Sequence, residues 1–159
     1  MQGIKRLSVW LGTVVMLAMA CAGCGAKAGK EAVDPVQAAG QLVQALSWQD
    51  SLTQLDDDAV TLLYNISKED VRAHCVYAGT GATAEEVAVF CATDAKAAER
   101  IRQAVQTRVE ELRSGFESYM PQEMQKLANP ILCMRGTSVI LCISSDNERA
   151  QAKIDALFE

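Results

Sequence analysis

The sequence is poor in aromatic residues and contains a single histidine, His74. Only 5% of its residues are Phe, Trp or Tyr, and its 15 Lys and Arg residues form no basic patch. Proteins that bind nucleic acids need clustered Lys and Arg to contact phosphates. We therefore expect no nucleic-acid partner for this chain, whose formal net charge is −5.

The sequence also lacks the short motifs that mark common active sites. It contains no G-x-S-x-G, S-x-x-K or H-E-x-x-H. The acids of Asp56–Asp58 are consecutive, which suits a helix start better than a calcium loop with alternating acids. Gly79-x-Gly81 stands between two predicted strands, whereas a phosphate loop leads into a helix. We predict no catalytic residue, no metal site and no cofactor, so enzymatic activity is uncertain and its absence is favoured.

The first 23 residues have the pattern of a targeting segment. Lys5 and Arg6 supply a positive start, and residues 7–23 carry no charge. A basic start, an apolar stretch and small residues before a cleavage site are typical of a secretory signal peptide. Half of the 159 residues are apolar, enough for one packed domain besides that segment.

The end of the targeting segment resembles the lipobox of bacterial lipoproteins. Ala22 and Gly23 precede Cys24, and small residues before a cysteine suit cleavage there, with a diacylglyceryl group on its sulfur. The pattern departs from the usual one because Cys21 stands where Leu is common. Cys21, preceded by Ala18-Met19-Ala20 with the same kind of departure, is the alternative lipidation site. We favour Cys24 for its Ala-Gly approach.

An uncut membrane-spanning anchor is the other interpretation of this stretch. A span usually needs about 20 apolar residues, and this one is short for that and ends in Ala, Gly and Cys. Two acyl chains suffice to hold a protein on a membrane. We predict a signal peptide at 1–23, a flexible tether at 24–33 and a single domain at 34–159, on the outer, extracytoplasmic face of the cell membrane. The mature net charge would be −7, since Lys5 and Arg6 are lost from −5.

Hydrophobic periodicity and turn residues predict strand pairs separated by helices. In the first helix, the spacing places Val36, Ala39, Val43 and Leu46 on the apolar face. We expect an α+β fold, a small two-layer sandwich whose antiparallel sheet of about four strands (two hairpins) carries helices on one face. The predicted elements are a helix opened by Asp34-Pro35, a short strand in Leu52–Leu55, a helix at Ala59–Tyr64, strands Val71–Ala78 and Val87–Ala92, a helix from Asp94 to about Tyr119 stopped by Pro121, strands Ile131–Arg135 and Val139–Ser144, and a last helix opened by a capping box, Ser145-x-x-Glu148.

Four cysteines remain in the predicted domain, each in a predicted strand: Cys75, Cys91, Cys133 and Cys142. An exported domain can pair four cysteines in two disulfides, but buried free thiols are the favoured interpretation. A first hairpin that turns about Thr83 sets Cys75 opposite Cys91. A Gly136-Thr137 turn sets Cys133 and Cys142 diagonally, about 7–8 Å apart, which is too far for easy bridging.

The neighbouring residues His74 and Cys75 suggest a catalytic dyad only at first sight. Adjacent strand residues point to opposite faces of a sheet, so this pair cannot meet. A dyad of His74 with another cysteine stays open, and a histidine at the sheet surface is the ordinary case.

Three stretches resemble a family of small Firmicutes lipoproteins that carries a domain of unknown function. They are Leu63–Ile66, Gly81–Phe90 and the end of the long helix, Phe116-x-x-Tyr119-x-Pro121. The resemblance runs from Leu63 to Phe158 and implies no catalytic residue, ligand or partner. It also implies a monoderm envelope, where structural disulfides are less common, which again favours free thiols.

These observations leave three hypotheses for function. The first is a non-catalytic module of the cell envelope that binds an unknown protein or small ligand and is held at the membrane through its diacylglyceryl anchor. The second is a redox protein or enzyme that uses a strand cysteine. The third is a structural component of envelope assembly.

Overall fold

A computed structural model describes residues 32–159. The predicted signal peptide, most of the predicted tether and both lipidation candidates, Cys24 and Cys21, lie outside the described residues. Within them, no helix is both long and apolar enough to cross a membrane. The elements are α1 Pro35–Ala45, β1 Thr53–Gln54, α2 Asp57–Tyr64, β2 Val71–Ala78, β3 Glu86–Ala92, α3 Ala95–Tyr119, a 3-10 turn Pro121–Glu123, α4 Met124–Ala128, β4 Ile131–Arg135, β5 Ser138–Ile143 and α5 Asn147–Ala156.

Aspartates cap four of the helices. Asp34, Asp56 and Asp94 precede α1, α2 and α3, and each side chain accepts a hydrogen bond from the backbone N–H three residues later. The capping box predicted at Ser145 is wrong. Asp146 caps α5 by accepting from the amide of Arg149 at 3.0 Å, because a carboxylate also interacts favourably with the positive end of the helix dipole.

The five strands form one antiparallel sheet in the order β1-β2-β3-β5-β4. Both predicted hairpins are present, and the short β1 makes the sheet one strand wider than the four predicted. The second hairpin has the predicted register, with Cys142 opposite Ile131 and Cys133 opposite Ile140. Gly136 makes its two-residue turn at a φ of 56°, which glycine adopts without steric cost.

The predicted register of the first hairpin is wrong. Cys75 pairs with Val89 and Cys91 with Ala73, so the two cysteines are not opposite each other. The pairing of Ala78 with Glu86 centres the loop on residue 82 rather than 83. Moving a turn by one residue shifts every pair by two, which keeps each side chain on the expected face.

The prediction of helices on one face is also wrong, since helices cover both faces of the sheet. One face packs α2, α3 and α4 around a core that contains Phe90, Ile101 and Leu141. The other packs α1 and α5 around Leu42 and Ile154. The central strands β3 and β5 are buried at every residue. Their nearly uninterrupted apolar runs are typical of strands covered on both sides.

The apolar faces of the helices follow the predicted pattern in α3 more closely than in α1. In α3, helical spacing predicts an apolar stripe of Ile101, Val105, Val109, Leu112 and Phe116, and all five are buried except the partly buried Leu112. In α1, Ala39 and Leu46 are buried as predicted and Val43 is partly buried, but Val36 is 57% exposed. Ala38 and Leu42 are buried as well, so the buried face includes residues outside the predicted stripe. Helix α4 was not predicted, since five residues are too few to show helical periodicity.

Candidate functional site

A solvent-accessible groove lies between α2 and the first half of β2 and is called here the α2–β2 groove. Its volume is about 380 Å³, which falls in the range of small-ligand sites. The N-terminal half of α2 forms one wall and the outer part of β2 the other. The lining residues are Asp57, Val60, Thr61, Ile66, Lys68, Val71, Arg72, Ala73, His74 and Phe90.

The only histidine lies in this groove beside a carboxylate. Nε2 of His74 is 3.4 Å from Oδ1 of Asp57, at the start of α2. The His74 side chain is 20% exposed and that of Asp57 is 86% exposed, so water reaches the pair. The His74 ring also lies 6.0 Å from the ring of Phe90. The His74 side chain is therefore partly accessible from the groove.

The rim of the groove is more basic than the chain as a whole. Lys68 and Arg72 line it, against the single carboxylate of Asp57. Arg72 also donates to the carbonyl of Thr93 at 3.1 Å. The nearby Asp70 is bound by Arg100, with 2.9 Å from Nε to Oδ2, and these hydrogen bonds lower the pKa of the Asp70 carboxyl. The rim thus suits a ligand that carries a negative group.

The residues that line the groove include no cysteine and no serine. The hydroxyl of Thr61 donates to the carbonyl of Asp57 at 2.7 Å, within the same helix. Covalent catalysis needs a nucleophile beside a base that activates it. The Thr61 hydroxyl is therefore engaged within α2.

The four cysteines of the domain lie on the opposite side of the sheet. Cys75 and Cys133 belong to one row across the sheet, Cys75-Val89-Ile140-Cys133. That row and Cys142 pack in the core under α1 and α5. Because paired strand residues share a face, Cys91, two residues along from Val89, lies there too.

This placement settles the two predictions about cysteine pairing and the histidine. His74 and Cys75 point to opposite faces, as predicted. A dyad of His74 with another cysteine is excluded within residues 32–159, because all four thiols face away from it. All four are free thiols, and Cys133, which is half-buried, is the most exposed of them.

Burial makes three of the thiols weak acids. It raises the pKa of Cys75 and of Cys133, and it raises the pKa of Cys142 to about 12. Asp34 adds to the effect at Cys75 by repelling a second negative charge. The thiolate is the reactive form of cysteine, so these side chains are poorly suited to redox or nucleophilic chemistry.

A second group of polar and charged residues lies at the other end of β2, where the first hairpin turns. This turn-end cluster consists of Gln49, Glu85, Glu123 and Lys126. The Lys126 ammonium group donates to Gln49 Oε1 at 2.8 Å and to Glu123 Oε2 at 3.0 Å, and it lies 3.1 Å from Glu85 Oε1. All three charged side chains are almost fully buried.

Backbone donors complete the turn-end cluster. Glu85 Oε2 accepts from the amides of Gln49 and Asp50 at 2.9 and 3.0 Å, and Glu123 Oε2 accepts from the amide of Ala84 at 2.9 Å. Asp50 in turn accepts from the amide of Thr80 at 2.6 Å. The cluster therefore joins the segment after α1, the first hairpin and α4.

A third polar group, Tyr64, Glu86 and Arg108, is also buried. The Tyr64 hydroxyl donates to the Glu86 carboxylate, and Arg108 Nη2 lies 2.8 Å from Glu86 Oε2. Burial and the negative charge of Glu86 raise the pKa of Tyr64 well above its usual value. The Tyr64 ring contacts Phe90 edge to face, with 5.1 Å between centroids, so this group stands directly behind the floor of the groove.

Sequence reasoning missed both buried groups. Glu85 and Glu86 directly precede an apolar strand, where alternation predicts at least one inward-facing position. A charged residue at such a position signals a buried ionic contact, but its partners on α3 and α4 are distant in sequence. The aspartates of 56–58 behave as predicted and open α2, and Gly79-x-Gly81 lies in the hairpin turn. No group of three His, Cys, Asp or Glu residues within 32–159 is placed to hold a metal ion.

Comparison with known proteins gives one match. The model of the family described as "Domain of unknown function (DUF4358)" matches residues 44–144, which is more than half of the chain. The matched stretch contains the α2–β2 groove, the turn-end cluster and all four thiols, and it excludes almost all of α1 and all of α5. No curated protein and no solved structure matches the chain. The predicted lipoprotein character and Firmicutes origin of the family stay predictions.

Proposed function

This chain belongs to the family of the domain of unknown function DUF4358, and we propose that it is a lipid-anchored module of the cell envelope that binds its ligand in the α2–β2 groove. The anchor is supported by the uncharged stretch of residues 7–23 and by the small residues before Cys24. A protein that is exported by a signal peptide and anchored through lipid lies on the outer face of the membrane, and we place this chain there.

One observation carries the assignment of the groove. It is open to solvent and combines an apolar floor with groups such as His74 and Lys68 that line it. Ligand sites are typically concave and largely apolar with a few polar groups that orient the ligand. The turn-end cluster also borders a concavity, of about 310 Å³, but its charged side chains are almost fully buried and lie against one another.

The thiol-dependent alternative has less support. It needs a reachable cysteine with a lowered pKa, whereas burial raises the pKa of Cys75, Cys133 and Cys142. A purely structural role in the envelope does not account for the α2–β2 groove. The binding module is therefore the better hypothesis.

The anchor is tested by the intact mass of the protein purified from membranes. We expect a chain that begins at Cys24 and carries a diacylglyceryl group. Cys24→Ser should abolish processing and membrane attachment, while the matched variant Cys21→Ser should leave both unchanged. A full-length, unacylated protein in the membrane would show the anchor proposal to be wrong.

The groove is tested by capture from envelope extracts with the chain from residue 25 onward. Thr61→Trp fills the groove, because Thr61 lines it from an exposed position on α2. Leu62→Trp is the matched control, since Leu62 is 83% exposed and does not line the groove. We expect the unaltered chain and Leu62→Trp to retain the same envelope ligand and Thr61→Trp to lose it. Equal capture by all three would place the ligand elsewhere.

A further inference from the structure

We propose that the α2–β2 groove receives an extended segment of a partner polypeptide, which adds to the outer edge of β2 as a further strand. The inference rests on the proposed function and names the class of ligand that the groove binds. Strand addition is a common way for one protein to recognise another, with main-chain hydrogen bonds supplying affinity and side-chain pockets supplying specificity.

The outer edge of β2 is only half covered. Strand β1 pairs with Tyr77 and Ala78, and the amide of Leu55 adds one bond to the carbonyl of Val76 at 2.9 Å. The chain then leaves the sheet because Asp56 caps α2. Among residues 32–159, no strand lies against residues 71–75 on this side.

The register shows which backbone groups are available there. The carbonyl of Val76 points outward, since it accepts from Leu55. In an antiparallel sheet every second residue directs its amide and carbonyl to the same side, so those of His74 also point outward, into the groove. Unpaired donors and acceptors along a strand edge are a template for another strand.

The side chains around this edge of β2 indicate which residues the binding segment carries. Val60, Ile66 and Phe90 form an apolar floor, and alternate residues of an added strand would face it. Lys68 and Arg72 lie where β2 begins, in a chain whose net charge is −5. The segment is therefore expected to carry an apolar residue for the floor and an acidic residue for this basic end.

The same edge limits how much chain can add. The pairing of β2 with β3 is irregular between Val71 and Ala73, and a bulge of this kind ends regular pairing. The added segment is thus short and centred on His74. This geometry admits a peptide but disfavours open-ended stacking of whole sheets.

Two substitutions at His74 separate recognition by the backbone from recognition by the side chain. His74→Pro removes the outward N–H, and proline is tolerated on an edge strand where that N–H faces away from the sheet. His74→Gln is the matched control because it removes the imidazole and keeps the N–H. Circular dichroism and urea unfolding of each variant report whether the fold is retained.

The probe is a peptide selected on the full chain from random dodecapeptides displayed on phage and then synthesised. We expect enrichment of alternating apolar residues with at least one acidic residue. His74→Gln lacks the imidazole that lines the groove, so it sets the baseline, and His74→Pro should weaken binding of the synthetic peptide at least tenfold further than His74→Gln does, because only the proline lacks the outward N–H. Equal losses in the two variants, or no loss in either, would overturn strand addition.

Hydrogen exchange of the unaltered chain tests the same contact without a substitution. The amide of His74 should exchange at least tenfold more slowly when the peptide is bound, and unchanged exchange there overturns the proposal. If no peptide is enriched while an envelope ligand is still lost from Thr61→Trp, strand addition is wrong and the binding module stands. If Thr61→Trp loses nothing, the proposed function fails as well.

Discussion

The two ends of the β2–β3 hairpin differ in how far their charged side chains are buried. At the turn end, Lys126 lies among Gln49, Glu85 and Glu123, and its contacts with the two carboxylates are buried. At the other end, Nε2 of His74 lies 3.4 Å from the exposed carboxylate of Asp57 in an open groove. The charges of the first arrangement are almost fully buried among protein partners, and those of the second are accessible to solvent.

This difference in burial distinguishes charges that are expected to stabilise the fold from charges that are expected to contact a ligand. Buried charges must be paired and hydrogen-bonded to be tolerated, so the turn-end cluster is expected to matter for stability. An exposed pair contributes about 0–1 kcal/mol, so His74 is expected to matter little for stability. Four predictions test this contrast, beginning with the largest effect.

Lys126→Met should be the most damaging change. It leaves the carboxylates of Glu85 and Glu123 buried without their cation, and breaking such a pair costs about 3–5 kcal/mol. Urea unfolding at pH 7 measures the free energy of unfolding. The control is Lys153→Met on the exposed side of α5, which should change it by about 0.5 kcal/mol or less. Similar losses in the two variants would contradict a structural role for the cluster.

Alkaline pH should destabilise the domain through Cys142. Burial raises its pKa in the folded state to about 12 from about 9 in the unfolded chain, so only the unfolded chain loses the proton in between. The free energy of unfolding therefore falls as pH rises above 9, by on the order of 2–3 kcal/mol at pH 11 for this thiol alone.

The control for this effect is a pair of alanine variants. The pH dependence between 9 and 11 should flatten in Cys142→Ala and flatten less in Cys133→Ala, because Cys133 is half-buried. An identical slope in the unaltered chain and Cys142→Ala would show that another group is responsible.

Tyr64→Phe should cost about 1–2 kcal/mol, because it removes a buried hydrogen bond to the charged Glu86. Tyr119→Phe provides the comparison, since Tyr119 is 72% exposed and its replacement should be nearly neutral. Both values come from urea unfolding. A neutral Tyr64→Phe would mean that the Tyr64 group tolerates loss of a partner, unlike the turn-end cluster.

His74→Gln should have the smallest effect on stability, about 0.5 kcal/mol or less, because its partner Asp57 is 86% exposed. Urea unfolding at pH 7 measures it beside the Lys126 variant. A loss above about 2 kcal/mol would erase the contrast, since the groove would then be a structural site like the turn-end cluster.

Local patterns were enough to predict most of the elements and one register. Strand β2 has the predicted ends, Val71 and Ala78, and the Gly136-Thr137 turn sets the pairing of Cys133 and Cys142 with their partners. The register of the first hairpin was harder to predict, because its seven-residue loop, 79–85, allows several positions for the centre of the turn. Two-residue turns leave no such choice.

The groove and the buried ionic groups were beyond sequence reasoning for a different reason. Asp57 and His74 are 17 positions apart and Glu85 and Lys126 are 41 positions apart, so no local spacing connects them. The layer arrangement was missed although the apolar runs of β3 and β5 indicate burial on both faces.

The sequence by itself determined the caps of α1, α2 and α3, the strands of both hairpins, the face on which each of their side chains lies and the segment that we interpret as an export signal. These follow from residue-level chemistry and from periods of two or 3.6 residues. Only the tertiary structure decided that helices cover both sides of the sheet, that Lys126 stands between two carboxylates and that β1 stops short and leaves the edge beside His74 open. Each of these depends on contacts between segments far apart in the chain, where packing rather than local preference decides which residues meet.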